Sequence, residues 1–237
     1  IVESDGTTSV DETGTTDTFT VVLDAEPASD VVLTVTSSDP GEATVTSTLT
    51  FTSANWDNAQ TVTVTGVDDN LIDGTIGSTI TVAVEDANSD DDFDAVADQT
   101  VSVTTTDDDV AGFTIVESDG TTSVDESGTT DTFTIVLDAQ PTSDVVLTIS
   151  SNDTGETTTT GTLTFSPVNW DTPQTITITG VDDDIIDGTV TSTITISVVD
   201  ASSNDNFDAV ADQTVSATTA DDDVAGFTIV ESNGSTE

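Results

Sequence analysis

The sequence predicts an all-β protein built of tandem immunoglobulin-like Greek-key β-sandwiches, about seven strands each, joined head to tail. Three observations carry this. Apolar and hydroxyl side chains alternate with a period of two along most of the chain, as in Thr175-Ile176-Thr177-Ile178-Thr179. That pattern gives a strand one face for a core and one for water. Gly, Asn, Asp and Pro fall between such runs, as at Asp138-Ala139-Gln140-Pro141 and Asn152-Asp153-Thr154-Gly155, where they supply turns. Finally, the text repeats. Ile1-Val2-Glu3-Ser4-Asp5-Gly6 returns at Ile115, Trp56 as Trp170, and Asp107-Asp108-Asp109 as Asp221-Asp222-Asp223, always 114 residues on. Units of ~100 residues are domains, whereas solenoid repeats run ~20–50 residues and cannot fold alone.

In the second repeat the expected strands are A (112–117), B (132–138), C (144–151), D (159–165), E (174–181), F (192–200) and G (213–219). Phe133, Phe165, Trp170 and Phe207 are the expected core anchors. No helical period competes. Residues 1–110 read as a first repeat lacking its first few residues, 111–224 as a second, and 225–237 as the start of a third, so the chain reads as cut from something longer. Long Thr-X-Thr runs are accounted for by β-propensity on solvated faces, without an ice- or sugar-binding role.

Composition removes many functions. The chain has 47 acidic residues and no Lys, Arg or His, a formal net charge of −47. Phosphate recognition needs basic groups, so neither nucleic acid nor an anionic membrane surface is an expected partner. No apolar run approaches the ~18–20 residues of a membrane span. Without His, Cys or Lys there is no Ser-His triad, thiolate nucleophile, Schiff-base lysine or ordinary zinc site. A glycosidase-type carboxylate pair is the one enzymatic route left open, and no enzyme is expected. Disulfides and lysine isopeptide bonds are equally closed. The disorder that such acidity suggests is countered by a 33% hydrophobic content in regular pattern.

The placement of the acids is informative. If strands alternate direction, the A–B, C–D and E–F loops and the exit of strand G share one end of the sandwich. They carry Glu117, Asp153, Asp182, Asp183, Asp187, Asp221, Asp222 and Asp223. In the first repeat the same positions are Glu3, Asp39, Asp68, Asp69, Asp73, Asp107, Asp108 and Asp109. Two carboxylates ~4 Å apart repel by roughly 4 kcal/mol at an effective dielectric of ~20. Such a cluster needs water, salt or bound cations, and a hard cation with ~6–8 oxygen ligands suits it. Ca2+ fits better than Mg2+, with about two or more ions per end. The spacing is neither that of an EF-hand nor that of the glycine-rich nonapeptide repeat. A weaker acidic loop, Asp90-Asp91-Asp92-Phe93-Asp94, becomes Asn204-Asp205-Asn206-Phe207-Asp208 at the opposite end. Salt adaptation is the competing account of the charge, but it predicts acids on exposed strand faces, which are mostly Thr and Ser here.

Phe113-Thr114-Ile115-Val116-Glu117, Leu163-Thr164-Phe165, Trp170, Gln174-Thr175-Ile176-Thr177, the Val-Asp-Asp segment at Val181 and the closing Asp221-Asp222-Asp223-Val224-Ala225-Gly226 together resemble the Calx-β family. The resemblance runs through the chain twice, and is closest to the tandem Calx-β-like repeats of very large bacterial surface and secreted proteins. It implies an immunoglobulin-like sandwich with Ca2+ at one end. The ligands it implies are Glu117, Asp153, Asp182, Asp183, Asp187 and Asp221 to Asp223, with the Ile185 backbone carbonyl as a further candidate. Gly188 and Thr189 stand where the animal exchanger-type pattern has further acids.

Only Val110-Ala111 separates Asp109 from the next first strand, too short for a free tether. The expected function is a Ca2+-stiffened structural repeat of an extracellular or cell-surface bacterial stalk, adhesin or fibre. Its partners are neighbouring repeats or like subunits, in a covalent array or a self-polymerising filament. A Ca2+-sensing module and a carbohydrate-binding accessory module are the alternatives.

Overall fold

The computed structural model describes residues 1–230, and the end of the expected third repeat (231–237) lies outside them. The chain divides into two compact units, the first ending at Asp109 and the second beginning at Val110.

The first unit contains β1 (Val2–Glu3), β2 (Thr8–Asp11), β3 (Thr16–Val21), β4 (Val31–Ser37), β5 (Ala43–Val45), β6 (Thr48–Phe51), β7 (Gln60–Gly66), β8 (Ile76–Val84) and β9 (Gln99–Thr106). The second contains β10 (Phe113–Glu117), β11 (Thr122–Asp125), β12 (Thr130–Leu137), β13 (Val145–Ser151), β14 (Thr157–Thr159), β15 (Thr162–Phe165), β16 (Gln174–Gly180), β17 (Val190–Val198) and β18 (Gln213–Ala220). Each unit is a sandwich of a four-stranded sheet, β1-β3-β7-β5 or β10-β12-β16-β14, and a five-stranded sheet, β2-β9-β8-β4-β6 or β11-β18-β17-β13-β15. Two 3-10 turns per unit precede the last strand.

The two-residue alternation places the core between the sheets. In β16 Ile176 and Ile178 are buried while Thr175 and Thr177 face out, and Ile176 pairs with Phe133. Phe133, Phe165 and Phe207 are fully buried, as expected. Trp170 is not: it is half-buried on the β15–β16 connection, where its carbonyl accepts the Leu137 N–H at 3.1 Å.

Among the described residues each unit has nine strands where about seven were expected, for two reasons. The expected strand A is only the first half of an edge. After β10 the chain crosses to the other sheet, where β11 runs parallel to β18. The expected strand D breaks in the same manner, β14 pairing with β16 and β15 with β13. Short edge segments that change sheets cover both edges of a sandwich, and alternation continues through the switch, which hides it in the sequence.

Candidate metal centre

The switch from β1 to β2 fixes where the first acidic side chain lands. Because β2 runs on beside β9, the chain reaches the end of the sandwich only after Asp11, and the next residue is Glu12. Its N–H continues the ladder by donating to the Thr106 carbonyl at 3.1 Å. The turn closes through Gly14, whose N–H donates to the Asp11 carbonyl at 3.3 Å. The backbone of Asp11 lies hard against β7. A Cβ at Gly66 would stand 1.9 Å from the Asp11 carbonyl oxygen, and one at Gly180 would stand 2.0 Å from that of Asp125. Glycine at these two places lets Glu12 and Glu126 turn inward. Each is 1% exposed.

A second buried acid comes from the turn before β5. The Asp39 carbonyl accepts the N–H groups of Glu42 and Ala43 at 3.3 and 3.1 Å, and the Glu42 carbonyl accepts the Val67 N–H at 2.9 Å. Glu42 and its counterpart Glu156 are thereby buried. The β7–β8 loop is tied to the exit of β9 by Asp107, whose Oδ2 accepts the N–H groups of Asp73 and Gly74 at 3.0 and 2.8 Å. Gly74 has φ +78°, a conformation that favours glycine. Asp107 Oδ1 takes the Asp109 N–H at 2.8 Å. In the second unit Asp221 bonds Gly188 at 2.8 Å and Asp223 at 2.7 Å in the same way.

These elements converge on shared carboxylate groups. In the first unit Glu12, Asp69 and Asp109 form one group and Glu12, Glu42 and Asp73 another, the ligand atoms of each lying within 4.8 Å of one another. In the second, Glu126, Glu156 and Asp187 form one and Glu126, Asp221 and Asp223 another. One glutamate is common to both groups in each unit. Within these groups Glu12 Oε2, Glu42 Oε2, Asp73 Oδ1, Asp109 Oδ2, Glu156 Oε2 and Asp223 Oδ2 are buried and have no hydrogen-bond donor.

The electrostatics agree. Burial, then Asp107 and Asp69, push the Glu12 carboxyl up to about 7. Burial, then neighbouring aspartates, raise Glu42, Asp73 and Asp109. Glu126, Glu156 and Asp223 are raised for the same reasons. Asp221 is held low by the Gly188 and Asp223 N–H donors. Buried oxygens lacking donors, from a set of hard ligands, match what an oxygen-loving divalent cation requires. The acidic clusters of both units could hold a metal ion.

The expected site residues distribute unevenly over this centre. Asp69, Asp73, Asp109, Asp187, Asp221 and Asp223 are brought together in the groups. Asp107 and Asp183 lie beside them as charged neighbours of Glu12 and Glu126. Asp39 and Asp153 are exposed turn residues that act electrostatically on Glu42 and Glu156. Asp68, Asp108, Asp182 and Asp222 are exposed, and the Asp222 N–H donates to Glu126 Oε2 at 3.3 Å. Ile185 is exposed, its N–H donating to Asp183 Oδ1 at 2.6 Å. Glu3 and Glu117 stand back from the end, pairing with Phe19 and Phe133 and accepting the hydroxyls of Thr8 and Thr122. Sequence reasoning missed Glu12, Glu42, Glu126 and Glu156. The signal was present in Asp11-Glu12 and Asp125-Glu126, and in Gly41-Glu42 and Gly155-Glu156.

The chain matches no protein-family model and no curated protein sequence. Among the described residues no helix is long and apolar enough to cross a membrane. The chain is similar to the crystal structure of calcium binding domain CBD12 of CALX1.1, at 16% identity and TM-score 0.34, over 83% of this chain and 79% of that one. It is similar to the apo-form Calx CBD1 domain at 17% identity and TM-score 0.34, over 47% of this chain and 98% of that one. It is also similar to domains 1–6 of the surface layer protein SbsC at 17% identity and TM-score 0.38, over 80% of this chain and 20% of that one.

Proposed function

We propose that this chain is a Ca2+-binding structural repeat, a segment of an extracellular stalk, adhesin or fibre whose sandwich ends are stiffened by the ion, and that it is not an enzyme. The observation that carries the reading is the set of buried, donorless carboxylate oxygens at the same end of both units. Glu12 and Glu126 would each bridge two ions. Glu42, Asp69, Asp73 and Asp109 would complete the first unit, and Glu156, Asp187, Asp221 and Asp223 the second. The ion supplies the positive charge that a chain without Lys or Arg cannot. Loss of the ion would leave each end self-repelling and its loops loosened. Asp109 is the last residue of the first unit and Val110 the first of the second, so an ion held there restrains the chain where one unit hands over to the next. Ca2+ at extracellular, millimolar levels permits even weak sites to fill. Like subunits or neighbouring repeats are the partners in this reading.

The test is thermal unfolding in EDTA and across a Ca2+ titration at constant ionic strength, with Mg2+ and NaCl as controls. A ligand at ~100 times its dissociation constant adds about 2.7 kcal/mol per site. The expected result is a rise specific to Ca2+. A rise that NaCl reproduces would reduce the acids to solvated surface charge and overturn the proposal.

A further inference from the structure

The two carboxylate centres are spelled with the same acids except at one position. Glu12, Glu42, Asp69, Asp73 and Asp109 of the first unit return as Glu126, Glu156, Asp183, Asp187 and Asp223 of the second. In the loop that follows β7 or β16, however, Val67-Asp68-Asp69-Asn70 becomes Val181-Asp182-Asp183-Asp184. Asn70 is neutral and Asp184 is charged, and no other residue of the loops that carry these acids changes charge between the units.

The carboxylate groups differ at the same place. Glu12 with Glu42 and Asp73 is matched residue for residue by Glu126 with Glu156 and Asp187. The other group is not matched: Glu12 gathers Asp69 and Asp109, whereas Glu126 gathers Asp221 and Asp223. The turn itself keeps its form, Asp69 Oδ1 accepting the Leu71 N–H at 2.7 Å and Asp183 Oδ1 the Ile185 N–H at 2.6 Å. What differs is the charge that falls on the group. Burial raises Asp223, and the next cause is Asp184, ahead of Asp221 and Asp222 on its own segment. For Asp109 the causes after burial are Asp107 and Asp108, on its own segment. Each group holds an orphaned oxygen, Asp109 Oδ2 or Asp223 Oδ2, beside a glutamate that is 1% exposed.

We infer that Asp184 makes the Glu126-Asp221-Asp223 group a tighter divalent-cation position than the Glu12-Asp69-Asp109 group, so that the second unit fills at lower Ca2+ than the first. The inference rests on the Ca2+ reading above. Ligand charge count tunes the affinity of oxygen sites for Ca2+, and the matched group leaves only this position to differ. Asp184 is exposed, so its charge is added at the rim without a burial cost. The expected difference is about tenfold, the attraction of one carboxylate for a divalent ion ~6 Å away at the dielectric of water. Between the two thresholds the second centre is closed by its ion while the first still repels itself.

Nuclear magnetic resonance of the 15N-labelled 237-residue chain tests this, with free Ca2+ set by a chelator buffer at constant ionic strength. The Gly74 and Gly188 amides, donated to Asp107 and Asp221 at 2.8 Å each, report their own units. Gly188 is expected to reach its midpoint at about tenfold lower Ca2+ than Gly74. Asp184→Asn should close that gap by weakening the second unit, and Asn70→Asp should close it by strengthening the first. Asp171→Asn, which removes a charge from an exposed loop of the second unit, should leave it open. Midpoints that coincide in the wild type would overturn the inference while leaving the Ca2+ reading intact. So would a gap that survives Asp184→Asn, or one that Asp171→Asn closes equally well. Amides that ignore Ca2+ altogether would overturn the Ca2+ reading and this inference with it.

Discussion

Replacing Glu12 and Glu126 together by Gln separates the two roles that a buried carboxylate could have here. Each glutamate is almost wholly buried and belongs to both carboxylate groups of its unit, with ligand atoms within 4.8 Å. At that distance and an effective dielectric of ~20, each pair of charged neighbours costs about 3.5 kcal/mol. Gln keeps the shape, removes the charge and adds an N–H donor for the orphaned oxygens around it. In EDTA at pH 8 the variant is therefore expected to unfold at a higher temperature than the wild type. In Ca2+ the order reverses, because each substitution removes the ligand common to two ion positions. A filled site contributes about 2.7 kcal/mol at ~100 times its dissociation constant, and ~1 kcal/mol moves the midpoint of a domain of ~100 residues by about 4 °C or more. The lost Ca2+ response is thus on the order of 10 °C. Calorimetry in the two buffers reads both changes. Asp57→Asn with Asp171→Asn, which removes the same charge from exposed loops, is the control. If the Gln variant keeps the wild-type Ca2+ shift, or if EDTA leaves it no more stable than the control, the bridging role assigned to these glutamates is wrong.

Two further outcomes follow from the same geometry. The Glu12 carboxyl is raised from 4.5 to about 7, and its raised neighbours share its sign. A raised acid stabilises the fold while protonated, so that contribution is complete below about 4.5 and lost as pH climbs towards 7. Denaturant unfolding in EDTA should show stability falling across that window, while the increment from Ca2+, which binds the deprotonated form, grows across it. Asp17, Asp90 and Asp131, held low by backbone N–H donors, act in the opposite sense but only below their ordinary 3.8. A flat profile in EDTA would contradict the buried cluster. Separately, Gly66→Ala with Gly180→Ala forces a Cβ against the Asp11 and Asp125 carbonyls. Overpacking of this kind costs about 1–3 kcal/mol, and isothermal titration should find Ca2+ binding weakened, because the residue displaced is the one preceding each bridging glutamate. Gly77→Ala and Gly161→Ala, where a Cβ meets nothing within 4 Å, should leave binding intact.

The sandwich class was legible because alternation reports directly which face of a strand is buried, and the 114-residue repeat allowed the pattern to be read twice. What alternation does not report is the sheet to which a strand belongs. At Thr160-Gly161 and between Glu117 and Thr122 the chain changes sheets while its period continues, so β11 and the β14–β15 break were invisible. That one blind spot also explains the site. Strand parity sends the A–B connection to the end where the carboxylate groups gather, but the acid it picks from that connection is Glu117, which stands back on the first half of the edge, whereas Glu126, which follows the second half, joins the groups. Asp73, Asp109, Asp187 and Asp223, which the sequence places at that end and the structure gathers into the groups, sit on loops whose flanking strands do not switch. Glu42 and Glu156 were missed because each lies one residue before a short strand that itself belongs to the unseen break.

The same fold holds a second kind of buried acid, and the contrast bears on the metal reading. Asp90 is as buried as Glu42, yet its carboxylate accepts the N–H groups of Ala28, Ser29 and Asp92 at 2.6, 2.9 and 3.1 Å, and its pKa is lowered as a result. In the second unit the neutral Asn204 occupies that place, accepting the Asn206 N–H and donating to Thr142 and Ser143. A buried oxygen satisfied by the backbone needs no charge, and the chain spells that position both ways. Glu12 and Glu42 have an orphaned oxygen each, raised pKa values and an acid at the same place in the other unit. An amide would suit a merely structural role better there, since it avoids the cost of burying a charge among like charges. Salt adaptation offers no reason for that choice, because dissolved ions screen exposed charges far better than buried ones. A cation bound among the carboxylates does offer one, and it accounts for both glutamates in both units.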